Sequence, residues 1–223
     1  MSAADQAGQL LVWAAVHWGD RGLPWRRAGE PLVARVLVEG LLAQTRAEAV
    51  AAAYDGIFGG VAEAVDWLRG PERASRLAAV AALGLPKLKV AALDSLARWL
   101  DRGRGTLDVR GMPGVGPYTA GMVALLVGEE AAPVDCNVDR VGARVDPAVA
   151  PGVWVAEVLA EAMRWAPLPD LGEFPPGYVA ISAILDMGAT RCELGRAPRC
   201  ADCPLAGDCA YQARGPRQLE MWR

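Results

Sequence analysis

Apolar residues recur along the chain at helical spacing, in blocks separated by glycine and proline. Leu10, Leu11, Ala14 and Val16, with Trp13 and Trp18, give residues 5–18 an apolar face, and Gly19 to Arg27 ends the pattern. Pro31 opens a second, strongly apolar block that is predicted to run on as helix towards Tyr54. Amphipathic helix is predicted again between Gly59 and Leu83, and a Gly-Pro turn at Leu83-Gly84-Leu85-Pro86 leads into a helix that ends between Trp99 and Gly105. Ala120 to Val127 reads as a buried helix that stops near Gly128. Asn137 is placed to cap a helix towards Val145. Helices follow at 153–165 and from Gly177 to Met187, on either side of a Pro-rich loop from Pro167 to Pro176. No internal repeat or low-complexity linker interrupts the series.

One stretch stands apart. Pro113-Gly114-Val115-Gly116-Pro117 is a tight turn whose glycines permit positive φ, and Pro117 stands where a helix can begin. The sequence therefore reads helix, Gly-rich hairpin, helix, with backbone N–H groups suited to a phosphate oxygen. Asp135 follows in an apolar setting of Ala131, Ala132, Pro133 and Val134. The plain alternative is an ordinary Gly-Pro turn and a helix-capping aspartate. On the second helical block, Arg35, Glu39, Leu42 and Arg46 share one side of the wheel, and periodicity reads them as a solvated stripe with an Arg35–Glu39 pair.

Composition narrows the class. The chain of 223 residues can bury a substantial core. No run of about eighteen apolar residues and no basic leader followed by an apolar core is present, so a membrane span or export is not expected, and the cytoplasm is. A net charge of −3 argues against an indiscriminate polyanion binder. Basic residues nevertheless concentrate locally: Lys87, Lys89, Arg98, Arg102, Arg104 and Arg110 against Asp94, Asp101 and Asp108, then six arginines against four acids from Met187 to the end.

Five cysteines occur, four of them as Cys192-x7-Cys200-x2-Cys203-x5-Cys209. Without a sign of export a disulfide framework is not expected. Four thiolates suit zinc, and they equally suit a [4Fe–4S] cluster. Cys136 has no partner in sequence and is expected to be a small buried thiol.

The hairpin with Tyr118-Thr119-Ala120-Gly121, and Val134-Asp135-x-Asn137-Val138-x-Arg140-Val141, resemble the helix-hairpin-helix signature of the endonuclease III superfamily of DNA glycosylases. The likeness runs from about Leu23 to Cys209 and is nearest to the branches that act on mismatched thymine or adenine. Leu23-Pro24-Trp25-Arg26 is similar to a segment of those branches. Val38-Glu39-Gly40-Leu41-Leu42-Ala43-Gln44-Thr45 looks like the family's E-x-x-L-x-Q-T, and Leu83-Gly84-Leu85 with Lys89 looks like its L-G-L-x-x-x-(K/R) loop. The resemblance implies an all-α, two-lobed fold with a cleft, into which Asp135 and Tyr118 face. A barrel lobe at 29–135 would carry the hairpin, and 1–28 with 136–223 would form a cluster lobe. It implies a monomer that acts on double-stranded DNA with a flipped base. Pro113, Gly114, Val115 and Gly116 would hold phosphate, Gln44 would fill the space left by the base, and Leu85 would wedge into the opposite strand.

The family carries C-x6-C-x2-C-x5-C around a [4Fe–4S] cluster, so Cys192, Cys200, Cys203 and Cys209 are the implied ligands, with a first spacer one residue longer. That loop would present Arg191, Arg196 and Arg199 to phosphates. Asp135 would be the carboxylate that supports departure of the base, and Glu39 would face the base pocket, where burial raises a carboxyl's pKa. Bifunctional members carry a lysine where this chain has Tyr118, and the chain's only lysines are Lys87 and Lys89. Strand-cleaving lyase activity is therefore expected to be weak or absent. Removal of thymine or uracil opposite guanine is the expected activity. Removal of adenine opposite guanine or 8-oxoguanine is the alternative: Glu39 suits it, but the G-L-G-Y-Y loop is absent and only fourteen residues follow Cys209. A non-catalytic DNA-binding protein on the same fold would need neither Asp135 nor Glu39.

Overall fold

The computed structural model describes residues 2–103 and 109–214. Arg104, Gly105 and Asp108, and Arg217, Glu220 and Arg223, lie outside the described residues. Within them the regular structure is helical, without a strand: α1 (Ala3–His17), α2 (Leu32–Leu42), α3 (Ala47–Phe58), α4 (Ala64–Arg69), α5 (Arg73–Ala82), α6 (Pro86–Asp101), α7 (Pro117–Leu126), α8 (Cys136–Val145), α9 (Pro151–Ala162), α10 (Pro176–Thr190) and the short α11 (Ala210–Arg214). The chain divides into two compact units, Gly19–Val123 and Met1–Trp18 with Ala124–Arg223. Both boundaries fall earlier in the chain than the expected 28/29 and 135/136.

In the unit 19–123, α2 is buried at every position from Val33 to Leu41, Arg35 and Glu39 included. It ends sooner than its pattern suggests. The expected continuous helix towards Tyr54 is broken at residues 43–46, and α3 begins at Ala47. The break is a turn, Thr45 N–H to Leu42 C=O at 3.2 Å, with Gln44 at φ 55°. Helix α6 packs on α2, α4 and α5. Its approach to α2 depends on Gly40, where a Cβ would come 3.1 Å from that of Ala92. Asp94 of α6 gathers α4 and α5. It accepts from Trp67 Nε1 at 2.9 Å and from Arg73 Nη2 at 2.8 and 3.0 Å, while the Arg73 guanidinium lies 5.4 Å from the Trp67 ring. This corner satisfies three buried or half-buried polar groups at once.

The other unit is built on α10, buried at each position from Gly177 to Ile184 and again from Asp186 to Gly188. Helices α1, α8 and α9 pack against it. Trp154 Nε1 donates to Gln6 Oε1 at 2.8 Å, a buried link between α9 and α1. A Cβ at Gly188 would come within 2.6 Å of Asn137 Cβ, so glycine is what lets α8 begin against α10. The cap of α8 is Asp135 and not Asn137, because the helix starts two residues earlier than expected, at Cys136. Cys136 is exposed and not buried as expected: as the first helical residue it points away from the apolar face of Val138, Val141 and Val145.

Candidate active site

The unit 19–123 holds the hairpin and the two turns assigned to the duplex. Val115 N–H donates to Met112 C=O at 2.9 Å across Pro113 and Gly114, with Gly114 at φ 80°. Proline then glycine is the sequence a type II turn requires. Gly114 also admits no side chain, since a Cβ would stand 2.5 Å from Ala92 N and 2.6 Å from Leu88 O of α6. Ser95 Oγ fixes the same register by donating to Pro113 C=O at 3.0 Å. Val115 is buried, whereas Pro113 and Gly116 are exposed at the mouth of α7, whose first N–H groups have no acceptor within the helix. Tyr118 is half-buried in the first turn of α7.

Gln44 and Leu85 share an uncommon property. Among the described residues they are the non-glycine residues with positive φ, 55° and 50°. Such backbone is held at roughly 1–3 kcal/mol each and is concentrated where a protein grips a ligand. Gln44 is exposed, and Leu85 leaves 46% of its surface in solvent despite its size. Leu85 precedes Pro86 as the cap of α6, after Gly84 at φ 78°. Lys89, one turn into α6, is buried to 1% exposure and donates from Nζ to Ala43 C=O at 3.3 Å. Desolvation holds its pKa below the ordinary lysine value.

Glu39 is 1% exposed and Arg35 4%, which overturns the solvated stripe read from periodicity. The wheel gave the charges one side, but α2 is enclosed on that side too. Arg35 Nη2 donates to Arg27 C=O at 3.0 Å. The basic stretch is thinner than counted. Lys89 is inside, and the exposed Arg98 is paired with Asp94 at 3.5 Å; Lys87, Arg102 and Arg110 are exposed as well.

In the other unit Asp135 is half-buried and rigidly held. Its Oδ1 accepts the N–H groups of Asn137 and Val138, both at 2.8 Å, and its Oδ2 accepts Asn137 Nδ2 at 2.9 Å. The capping role and a chemical role are thus compatible: one oxygen closes the helix, and the other keeps a lone pair. Asn137 is oriented in turn by Arg140, whose Nη2 donates to Asn137 Oδ1 and to Gly188 C=O, each at 2.7 Å. Arg140 Nε reaches Cys192 C=O at 2.7 Å. A chain of hydrogen bonds therefore runs from Asp135 to the first cysteine of the loop. Sequence reasoning assigned no role to Arg140 or Arg144, and counted Lys89 among the basic surface residues rather than as a buried donor. For the two arginines the signal was present, as Asn137, Arg140 and Arg144 follow at helical spacing on one face of α8.

Cys192, Cys200, Cys203 and Cys209 line one small cavity of about 30 Å³, with Arg144 and Leu205 in its wall. Arg144 Nη1 donates to Cys192 Sγ at 3.0 Å, and Cys209 Sγ donates to Arg144 C=O at 3.3 Å. Burial pushes the Cys203 thiol up to about 11 and raises Cys200 as well, so a positive centre is what would hold these groups as thiolates. Among the described residues no three His, Cys, Asp or Glu side chains form a group that could hold a metal ion as they stand. The donor set fits a group bound by four thiolates that surround it. Of the loop's arginines, Arg191 is committed elsewhere: it stacks 4.8 Å from the Trp13 ring and pairs with Asp202 at 3.0 Å. Arg199 is exposed and donates to Thr190 C=O. Arg196 is 76% exposed along its side chain and pairs with Glu193 at 3.3 Å. Among the described residues no helix is long and apolar enough to cross a membrane.

No protein-family model matches the chain. Adenine DNA glycosylases of two Mycobacterium tuberculosis strains, CDC 1551 / Oshkosh and ATCC 25618 / H37Rv, are each 31% identical to it over 222 residues, 92% of this chain and 67% of theirs. Among solved structures, a thermostable thymine-DNA glycosylase superposes with a TM-score of 0.63 at 26% identity, over 94% of this chain and 95% of that one. A trapped endonuclease III–DNA covalent intermediate superposes with a TM-score of 0.56 at 21% identity, over 96% of this chain and 98% of that one. A non-covalent endonuclease III–DNA complex gives 0.54 at 22% identity, over 92% and 94%, and these last two likenesses concern the fold.

Proposed function

The chain belongs to the endonuclease III superfamily of helix-hairpin-helix DNA glycosylases, and from that premise we propose that it is a monofunctional enzyme that removes thymine or uracil opposite guanine. As a DNA glycosylase it hydrolyses the bond between base and sugar. The observation that carries the mechanism is the carboxylate of Asp135, fixed by three donors so that Oδ2 keeps one direction. The departing base takes the bonding electrons, positive charge develops on the sugar, and a pre-oriented carboxylate stabilises it and draws a proton from the attacking water. Tyr118 supplies no amine for an imine, so the abasic strand is left whole. Gln44, Leu85 and the Pro113–Gly116 hairpin contact the duplex in this reading, which is supported by the exposure of Gln44, Leu85, Pro113 and Gly116 and by the backbone strain at the first two.

Pyrimidine removal is supported by the likeness to the thymine-DNA glycosylase along nearly the whole of both chains, and by a Leu83–Lys89 turn without the adenine branch's G-L-G-Y-Y. One observation favours adenine instead. Glu39 is buried in α2, at the position that the resemblance assigns to the adenine branch's base-pocket glutamate, and the Mycobacterium tuberculosis relatives are adenine enzymes. Duplexes with G:T, G:U, A:G or A:8-oxoguanine pairs, incubated with enzyme and then cleaved with alkali, separate the two. Cleavage of the thymine or uracil strand is the expected result. Cleavage confined to the adenine strands would replace this reading with the second.

Cys192, Cys200, Cys203 and Cys209 hold a [4Fe–4S] cluster in this reading, supported by four thiols around one cavity. The four cysteines would hold such a cluster within the loop that carries Arg196 and Arg199, and its chemistry there would be structural, leaving both arginines to meet DNA phosphate.

A further inference from the structure

We infer that Lys89 is a positioning residue for base removal: its buried ammonium grips the peptide that sets the conformation of Gln44, and so couples the Gln44 turn to the Leu85 turn. The inference rests on the reading of Gln44 and Leu85 as the residues that enter the duplex.

Residues 42–45 form a type II turn. Ala43 has φ −57° and ψ 114°, Gln44 has φ 55°, and Thr45 N–H closes it on Leu42 C=O. A type II turn places a residue with positive φ third, which suits glycine or asparagine and strains glutamine. The relaxed alternative is type I, reached by turning the central peptide over, which would reverse the Ala43 carbonyl and return Gln44 to negative φ. Lys89 Nζ donates to that carbonyl at 3.3 Å, and Thr45 Oγ1 donates to it at 3.3 Å from the other side of the turn. A flip would leave a buried ammonium without this acceptor, and a hydrogen bond from a charged donor outweighs the turn's own preference. The ammonium also meets the carbonyl end of α2, where the helix dipole favours a cation.

Lys89 stands one helical turn beyond Leu85, with its N–H on Leu85 C=O at 3.1 Å. One short segment of α6 therefore fixes both strained residues. The same helix seats the hairpin through Leu88, Ala92 and Ser95. Only two of the 23 basic residues are lysines. The buried one is compact enough to place a point charge on a single carbonyl, which a planar guanidinium does less well.

The test is a mutant cycle read by single-turnover base release on the duplex the enzyme processes, with 2-aminopurine beside the target base to follow its departure from the stack. Lys89→Met should slow both signals about tenfold while affinity for intact duplex stays within about twofold. Combined with Gln44→Ala it should add almost nothing to the loss from Gln44→Ala alone. Lys89→Arg, which keeps a charged donor in a shape less suited to one carbonyl, should recover part of the rate and stand between Lys89→Met and the native chain. Ile57→Val, a core truncation in the same unit, controls for lost stability and should leave base departure unchanged. A wild-type rate for Lys89→Met, or losses that multiply in the double variant, would overturn the inference. A wild-type rate for Gln44→Ala would instead remove the reading of Gln44, and the inference with it. Should Lys89→Met not fold, Thr45→Val removes the other donor to the same carbonyl and is carried through the same cycle.

Discussion

At Asp135 the two carboxylate oxygens face different groups, and an amide can satisfy only one of them. In Asp135→Asn the oxygen can keep the two backbone N–H donors, but its NH2 then faces Asn137 Nδ2, whose own oxygen is held by Arg140. Base release should fall by roughly 10²–10³ or more as the charge opposite the sugar is lost, and stability by about 1 kcal/mol as donor meets donor. Single-turnover kinetics and a melting curve read the two effects separately, and retained activity would exclude Asp135 from the reaction. Tyr118→Lys should create strand cleavage that borohydride traps as a protein–DNA adduct, whereas the native chain should give none. Lys89 is buried and cannot supply that amine, so trapping by the native chain would point to exposed Lys87 or to the N-terminal amine. Asp135 was legible in the sequence because its neighbours form a motif within a few residues. The burial of Glu39 was not, since periodicity sees one helix and not what encloses it.

Among the elements, α6 carries the greatest share of the site's geometry, and Gly114 is where the hairpin meets it. Gly114→Ala places a methyl 2.5 Å from Ala92 N at a φ of 80°, so the hairpin must lift or α6 must shift. Loss of about 2 kcal/mol or more in stability is expected, with duplex affinity reduced in gel-shift titrations. Gly116→Ala, with open space around its Cβ position, should cost far less, and equal losses would sink the argument from close approach. The sequence announced these elements unevenly. Proline and glycine marked the hairpin and the start of α6, where the chain's conformational demands are written in residue type. The break after α2 has neither residue, as Ala43-Gln44-Thr45-Arg46 reads as helix, and a lysine 46 positions away along the chain holds it open. That information is tertiary and has no local signal.

For the molecule as a whole, an acidic net charge and DNA binding are reconciled by where the arginines lie. Affinity for duplex should fall as salt rises, with a slope that reflects a few phosphate contacts, and Arg196→Ala should lessen the slope by about one contact. Binding indifferent to salt would contradict the assignment. Purified with ample iron, the protein should be brown with about four irons per chain and little zinc, and Cys203→Ser should lose the metal and weaken DNA binding. One equivalent of zinc per chain would restore the zinc alternative. The scarcity of lysine has a further use. A lysine-specific protease finds only two sites in 223 residues, both in the first turn of α6, and one of them is buried. Native digestion must wait for that turn to open, so its rate measures the free energy of opening at the place where three turns of the site are joined. Slower digestion with DNA present would show, without any engineered label, that the duplex clamps this helix end.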